Sequence, residues 1–372
     1  MTTMAVKRDS AEVAVEGLEV AAYTIPTDRP ESDGTLEWDS TTMVVVEARA
    51  GGEAGLGYTY GDVATAELVR SKLADVVRGR DAMAVPAAWE GMVESIRNLG
   101  RPGISSMAVA AVDVALWDLN ARLLEVPLVT LLGATHDEVP IYGSGGFTSY
   151  SSTRLREQLS GWVEQGIPRV KMKVGRDPAA DPRRVAGARK AIGSDADLFV
   201  DANGAYERKQ ALDMADAFGE HDVSWFEEPV SSDDLDGLRL IRDRTPAGMD
   251  VAAGEYGYDV PYFERMLDAG AVDVLQADVT RCAGITELRR VGALCRARSL
   301  PLSGHTAPAL HVHPLCALQQ TVHLEYFHDH ARIESILLDG VPEPVGGALR
   351  PDLSRLGHGL ELRRADAERY AA

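Results

Sequence analysis

The chain has 372 residues, 45% apolar and 26% charged, with 38 basic against 57 acidic side chains and a net charge of −19. That length exceeds one ordinary domain and suits a barrel with an accessory domain. So acidic a surface repels nucleic acid and anionic membrane, and neither is expected as a partner; an anionic substrate is still allowed where a cation and lysines invert the local field.

Cys282, Cys295 and Cys316 are odd in number and sit in apolar or mixed contexts. They point to reduced thiols in the cytosol rather than a disulfide framework. No apolar run reaches the roughly 18 residues of a membrane helix, and the first residues lack a signal-peptide core. A cytoplasmic location is expected. Residues 1–11 are polar and are expected to be disordered.

Residues 16–25 and 41–50 alternate and read as strands. Between them, 27–34 is polar and full of turn formers, which predicts a loop able to act as a lid. Residues 55–61 are bracketed by glycines around Tyr58 and Tyr60 and read as a second loop. Its glycines are too sparse for a dinucleotide fingerprint. Helices are expected over 64–77 and 86–99. Residues 105–124 carry the strongest helical signal of the first third, with Met107, Ala111, Val114, Leu116, Trp117 and Leu123 mostly on one face. Asp113 and Asp118 interrupt that helix and read as surface or pairing carboxylates.

From Pro140 the pattern alternates strand and helix. Candidate strands are 140–143, 169–174, 198–202, 224–227, 251–255, 272–278, 301–305 and 323–325, with amphipathic stretches such as 153–165 and 182–192 between them. Repeats of this kind predict an α/β fold with a closed barrel; an open doubly wound sheet is the alternative. Residues 339–372, rich in proline and glycine, read as a coil returning to the first domain. The expected organisation is an α+β capping domain over 1–135, a barrel over 136–338 and a tail over 339–372.

The chemistry sits where these apolar runs end. Asp201, Glu227 and Glu255 close successive runs, 26 and 28 residues apart. That is about the pitch of one β/α unit, roughly 30 residues, so the three carboxylates should converge at the barrel mouth. Three hard oxygen donors suit Mg²⁺, which keeps some waters and leaves room for a substrate oxygen. Lys171 and Lys173 share a strand face, and each ammonium is expected to lower the other's proton affinity toward that of a base. Asp278, His305 and Glu325 end later strands. An aspartate bonded to a histidine ring fixes its tautomer and raises its basicity. His305 then lies across the barrel from Lys173, a base on each side of one substrate. His311 and His313 follow closely; a loop and helix start is preferred there over a zinc site. Glu228, Asn203 and Arg281 are left as supporting groups.

Together these motifs resemble the enolase superfamily, and within it the mandelate racemase-like branch, along nearly the whole chain. Residues 108–118 resemble its helical signature, Lys171-x-Lys173 its base motif, Asp201, Glu227 and Glu255 its Mg²⁺ ligands, and Asp278 with His305 its dyad. Glu325 resembles its strand-eight carboxylate. The resemblance implies a capping domain over a (β/α)7β barrel, with two loops, at 27–40 and 55–62, closing over the site and selecting substrate. It also implies proton abstraction α to a carboxylate, with Glu325 bonding the developing enolate oxygen. Dehydration of a sugar acid is the leading expectation. Racemisation, epimerisation or cycloisomerisation by the same residues is the alternative, and a non-catalytic barrel is disfavoured because every expected charged group is present. The expected partners are a small carboxylate substrate and further copies of this chain as a homo-oligomer.

Overall fold

The computed structural model describes residues 13–372; the polar stretch 1–11 lies outside the described residues. An antiparallel sheet opens it, ordered β1 (Gly17–Ser32), β2 (Glu37–Ala50) and β3 (Glu53–Tyr60). The expected loop at 27–34 is mostly strand. β1 runs on to Ser32, pairing Glu31 with Trp38, with a register shift between Pro26 and Glu31. Asp28, Arg29 and Pro30 are exposed on this extension, so its composition mimics a loop. The true turn is 33–36, where Asp33 Oδ1 accepts from the Thr35 and Leu36 amides at 2.6 and 2.7 Å.

The second expected loop, 55–61, is also a strand, β3. Its glycines serve close packing rather than turning. A Cβ on Gly55 or Gly57 would lie 2.3 or 2.2 Å from the Ala115 or Ala111 carbonyl oxygen of the long helix Ile104–Leu123. That helix is long and apolar enough by composition to cross a membrane, yet 89% of its apolar window is buried inside the fold. Its two aspartates are buried pairing carboxylates. Asp113 accepts from the Thr286 amide and hydroxyl at 2.9 and 2.6 Å, and Asp118 from the Leu56 and His358 amides at 2.8 Å each. The helix is thereby tied to a barrel helix, to β3 and to the tail, with its buried charges satisfied.

Eight parallel strands follow: β4 (Val139–Gly145), β5 (Arg169–Lys173), β6 (Asp197–Asp201), β7 (Val223–Glu227), β8 (Asp250–Ala253), β9 (Val274–Ala277), β10 (Leu302–Gly304) and β11 (Thr321–Phe327). β11 pairs back onto β4, from Leu324–Ile141 to Phe327–Ser144, so the sheet closes and the open-sheet alternative falls. A helix follows each strand. Tyr142, Phe199, Trp225, Ala252 and Val274 form one interior cluster across β4, β6, β7, β8 and β9. Two residues further along, Ser144, Asp201 and Glu227 point the same way by strand alternation. The aromatic layer is thus the dry floor beneath the charged mouth.

The tail adds β12 (Leu338–Asp339), β13 (Ala348–Leu349) and β14 (Glu361–Leu362). β13 lies antiparallel on β4, β12 pairs with β14, and the Ala372 amide donates to the Ala22 carbonyl at 3.0 Å. The tail therefore returns to the first sheet, as its composition suggested.

Candidate active site

Asp201, Glu227 and Glu255 converge as expected: one carboxylate oxygen of each lies within 4.8 Å of the others, and all three residues are buried. The backbone at the strand ends is bent to present them and their neighbours. Asn203, Glu228 and Thr306 hold positive φ values of 47°, 38° and 48° just past Asp201, Glu227 and His305. Such left-handed non-glycine residues cost energy and cluster where geometry is functional.

Lys171, fully buried, donates to both Glu227 oxygens at 2.7 Å and lies 2.8 Å from Glu325 Oε1. Lys173 donates to Asp201 Oδ2 at 2.5 Å. Lys171 does lower the proton affinity of Lys173, as expected, but the pair does not reach the range of a base in this arrangement. Burial pushes both down, but Glu227 and Glu325 beside Lys171, and Asp201 beside Lys173, outweigh it, and both lysines are held above their ordinary value. Each lysine lies within 3 Å of a carboxylate oxygen, and those neighbours decide the direction.

Opposite β5, His305 Nδ1 pairs with Asp278 Oδ2 at 2.8 Å, while Nε2 faces Glu255 Oε2 at 3.2 Å and Glu325 Oε2 at 3.6 Å. Burial disfavours the imidazolium, yet Glu255 and Glu325 raise its pKa to about 10. Asp278 is held below the carboxylate range against its burial by the His305 and Arg281 charges, and its Oδ1 accepts from the Thr280 amide and hydroxyl at 2.7 Å each. Arg281 pairs with Glu255 Oε1 at 3.1 Å, so it supports the metal-ligand candidate more closely than the dyad, where its Nε is 3.7 Å from Asp278.

Glu325 accepts from Ser144 Oγ at 2.5 Å and the Thr306 amide at 3.2 Å. Burial opposes its ionisation, but Lys171 and His305 bring its pKa down to about 2. Sequence reasoning missed Ser144, Thr306 and Trp225, whose indole N–H donates to Glu227 Oε2 at 2.9 Å. Trp225 was within reach, because it precedes Glu227 by two on the same strand face. His311 and His313 do not form a zinc site. His311 Nε2 accepts from the Val279 amide at 2.9 Å, and His313 Nδ1 from the Val129 amide at 3.2 Å.

These groups line a cavity of about 340 Å³ shared by Lys173, Asn203, Glu255, Asp278, Arg281 and His305. The sheet roofs it through the β1–β2 turn and the end of β3, including Asp33, Leu36, Trp38 and Tyr60. Gly34 seats that turn on the barrel: a Cβ there would lie 2.5 Å from the Ala202 carbonyl oxygen.

The residues fit a divalent cation by charge as well as geometry. Six buried carboxylates, of Asp201, Glu227, Glu228, Glu255, Asp278 and Glu325, meet four cationic groups, of Lys171, Lys173, Arg281 and His305. Two negative charges are left over, and the mismatch is felt at Glu227 and Glu228. Burial and then Asp201 push Glu227 up to about 8, and burial and then Glu255 push Glu228 well above its ordinary value. Glu228 Oε1 is buried without a hydrogen-bond partner. A dication among hard oxygen donors answers both the excess charge and that orphaned oxygen.

Residues 18–133 match the family described as mandelate racemase/muconate lactonizing enzyme, N-terminal domain, and residues 154–367 match enolase C-terminal domain-like. The chain belongs to this family, in the mandelate racemase-like branch of the enolase superfamily. It is 31% identical to the 3,6-anhydro-α-L-galactonate cycloisomerase of Streptomyces coelicolor, over 94% of this chain and 97% of that one. It is 30% identical to the L-rhamnonate dehydratase of Saccharopolyspora erythraea, over 87% of this chain and 85% of that one. A mandelate racemase/muconate lactonizing enzyme-like protein from Rubrobacter xylanophilus has a similar structure, with TM-score 0.95, 60% identity, and coverage of 96% of this chain and 100% of that one. A racemase from Streptomyces coelicolor, solved with bound magnesium, has TM-score 0.91, 30% identity and coverage of 96% and 100%. The protein is therefore an enzyme, a lyase or isomerase of a Mg²⁺-dependent family, and Asp201, Glu227 and Glu255 form a cluster able to hold the ion.

Proposed function

We propose that this enzyme removes the proton α to the carboxylate of a sugar acid and expels the β-hydroxyl, giving a 2-keto-3-deoxy acid. The observation that carries the reading is one cavity lined by both Lys173 and the His305–Asp278 pair, with Glu255 of the three-carboxylate cluster in the same wall. Asp201, Glu227 and Glu255 would hold Mg²⁺. Bound there, the ion supplies a Lewis acid that offsets the charge developing on the substrate carboxylate. Lys173 is read as the base. It can accept a proton only when Asp201 no longer holds its ammonium, a condition that engaging Asp201 with a cation supplies. Lys171 then lowers the proton affinity of Lys173 and touches the substrate carboxylate. His305, kept protonated by its carboxylate neighbours, delivers a proton to the departing hydroxyl. Glu325 holds Lys171 and accepts from Ser144 as an ionised carboxylate, so Lys171 rather than Glu325 would carry the proton nearest an enolate oxygen.

The division into a cap over 1–135, a barrel over 136–338 and a tail over 339–372 is part of this reading. So is the (β/α)7β assignment: seven helices link eight strands, and the helix after β11, His328–Leu337, leads into the tail. Cycloisomerisation is the second reading, favoured by the named activity of the Streptomyces coelicolor relative. The test is a screen of sugar acids with Mg²⁺, read for 2-keto-3-deoxy products and for exchange of the α-proton with D₂O. Products that vanish with chelator support dehydration; exchange with only isomeric acids as products turns the assignment to isomerase.

A further inference from the structure

The roof of the cavity carries no cation. Among the described residues that line it, the β1–β2 turn, β2 and β3 contribute hydroxyls, Asp33, and the apolar or aromatic Leu36, Trp38 and Tyr60, but no lysine, arginine or histidine. Asp33 spends its own carboxylate on capping its turn. The cations that do line the cavity come from the barrel and sit at its metal end, against the carboxylates there. Lys173 pairs with Asp201 at 2.5 Å, Arg281 with Glu255 at 3.1 Å, and His305 with Asp278 at 2.8 Å. His330 lines it too, with its ring stacked 3.5 Å from that of Tyr60 and its Nδ1 accepting from the Ala307 amide. Burial holds its pKa down at about 3, so it offers no charge. Arg176 and Arg332, which flank the turn, pair outside the cavity with Glu37 at 3.0 Å and Asp329 at 2.7 Å.

A sugar diacid bound by one carboxylate at the metal end would bring its second carboxylate against this roof. A buried carboxylate without a cationic partner is costly, and here it would also face Asp33 in a strongly acidic protein. A hydroxymethyl, methyl or ring-ether terminus carries no such cost. Its C–H surface can lie on Trp38, Tyr60 and Leu36 while the threonine and serine hydroxyls meet its oxygens. Resting on the proposed reaction, we infer that the substrate is a monocarboxylate sugar acid, an aldonate or a deoxy or anhydro aldonate, and that aldarates are rejected at the roof of the site.

The Mg²⁺-loaded enzyme, assayed on five- and six-carbon aldonates against aldarates of the same length, separates this inference from the reaction it rests on. We expect kcat/KM for the best monoacid to exceed that for every diacid by at least about a hundredfold, the size of leaving one buried charge unpaired. Leu36→Arg, at the exposed edge of the roof, should narrow the ratio by raising turnover of diacids. Diacids turned over as well as monoacids would overturn the inference and leave α-proton abstraction standing, as would an unchanged ratio in Leu36→Arg. If neither class exchanges its α-proton, the reaction itself is wrong and the inference falls with it.

Discussion

Adding Mg²⁺ to the metal-free enzyme should expel protons, and the site sets how many. Glu227, with its pKa near 8, is mostly protonated at pH 7, and Glu228 is pushed in the same direction, because burial and neighbouring carboxylates disfavour a second charge. A dication reverses that field, and its ligands must be ionised to bind it. At pH 7 up to about one proton per ion should leave from Glu227, with more where Glu228 also ionises. The release should shrink as pH rises past 8, where Glu227 has already lost its proton. Titration calorimetry in buffers of different ionisation enthalpy reads the number directly. Glu227→Gln should lose the Glu227 share and weaken binding more than a hundredfold, since breaking a buried charged contact costs on the order of 3 kcal/mol. Saturating Mg²⁺ should also protect the fold: at a hundredfold over Kd the gain is about 2.7 kcal/mol, or roughly 3 °C in Tm for a chain this long. Tight binding with no proton release would refute the charge accounting. Full activity in metal-free enzyme would refute the metal site altogether.

The two proposed proton carriers should separate by isotope exchange: Lys173→Ala should lose both turnover and α-proton exchange, by about 10²–10⁴ each, whereas His305→Asn should lose turnover and keep exchange; the reverse pattern, followed by mass spectrometry in D₂O, would exchange their roles. Glu31, pushed up to about 8 by burial and by Asp329, stays protonated in the fold while the unfolded chain ionises above 4.5, so stability should be intact below pH 4.5 and fall as pH rises toward 8. Glu31→Gln should flatten that slope by up to a few kcal/mol in denaturant melts, and an unchanged slope would show that Glu31 is ionised in place. Asp113→Ala should cost about 2–3 kcal/mol by orphaning the buried Thr286 amide, and equal urea midpoints would count against that tie between helix and barrel. Ligand should slow amide exchange at 33–40, the roof turn; exchange there that ignores a saturating substrate would remove its role as a lid.

The floor of the site was legible in the sequence because barrel strands are short, buried and evenly spaced. A carboxylate ending each apolar run has nowhere to point but the mouth, and the pitch from Asp201 to Glu227 to Glu255 reports neighbouring strands. For the roof, which segments cover the site was legible, but their structure was not. Gly55 and Gly57 look like turn formers in one dimension; the helix packed on them, which demands a missing Cβ, is some sixty residues away in sequence. The β1 extension through Asp28, Arg29 and Pro30 is polar because it is exposed, and exposure hides a strand from composition. Proton affinities were illegible for a similar reason. Lys171 and Lys173 are two apart in the chain, but Glu227, Glu325 and Asp201 reach them from other strands and decide the sign. Ser144 and Thr306 bind Glu325 across β4 and the end of β10, contacts that no local pattern encodes.

This split between floor and roof bears on why one family holds both dehydratases and cycloisomerases. On the proposed reading the floor would fix the first step for either outcome: carboxylates for a cation, a lysine, and a histidine held by Asp278. On that reading, nothing in Lys173 or His305 chooses between expelling a hydroxyl and reprotonating carbon, because His305 would deliver its proton to whichever substrate atom lies within reach of Nε2. That atom is set by how the rest of the substrate rests on Trp38, Tyr60 and the turn at 33–36. A sugar acid turned so that its β-hydroxyl meets His305 loses water; one turned to present a ring oxygen opens its ring instead. Reaction type therefore belongs to the fit between substrate and roof, and exchanging residues of the β1–β2 turn should alter product distribution while leaving α-proton exchange, the work of the floor, in place.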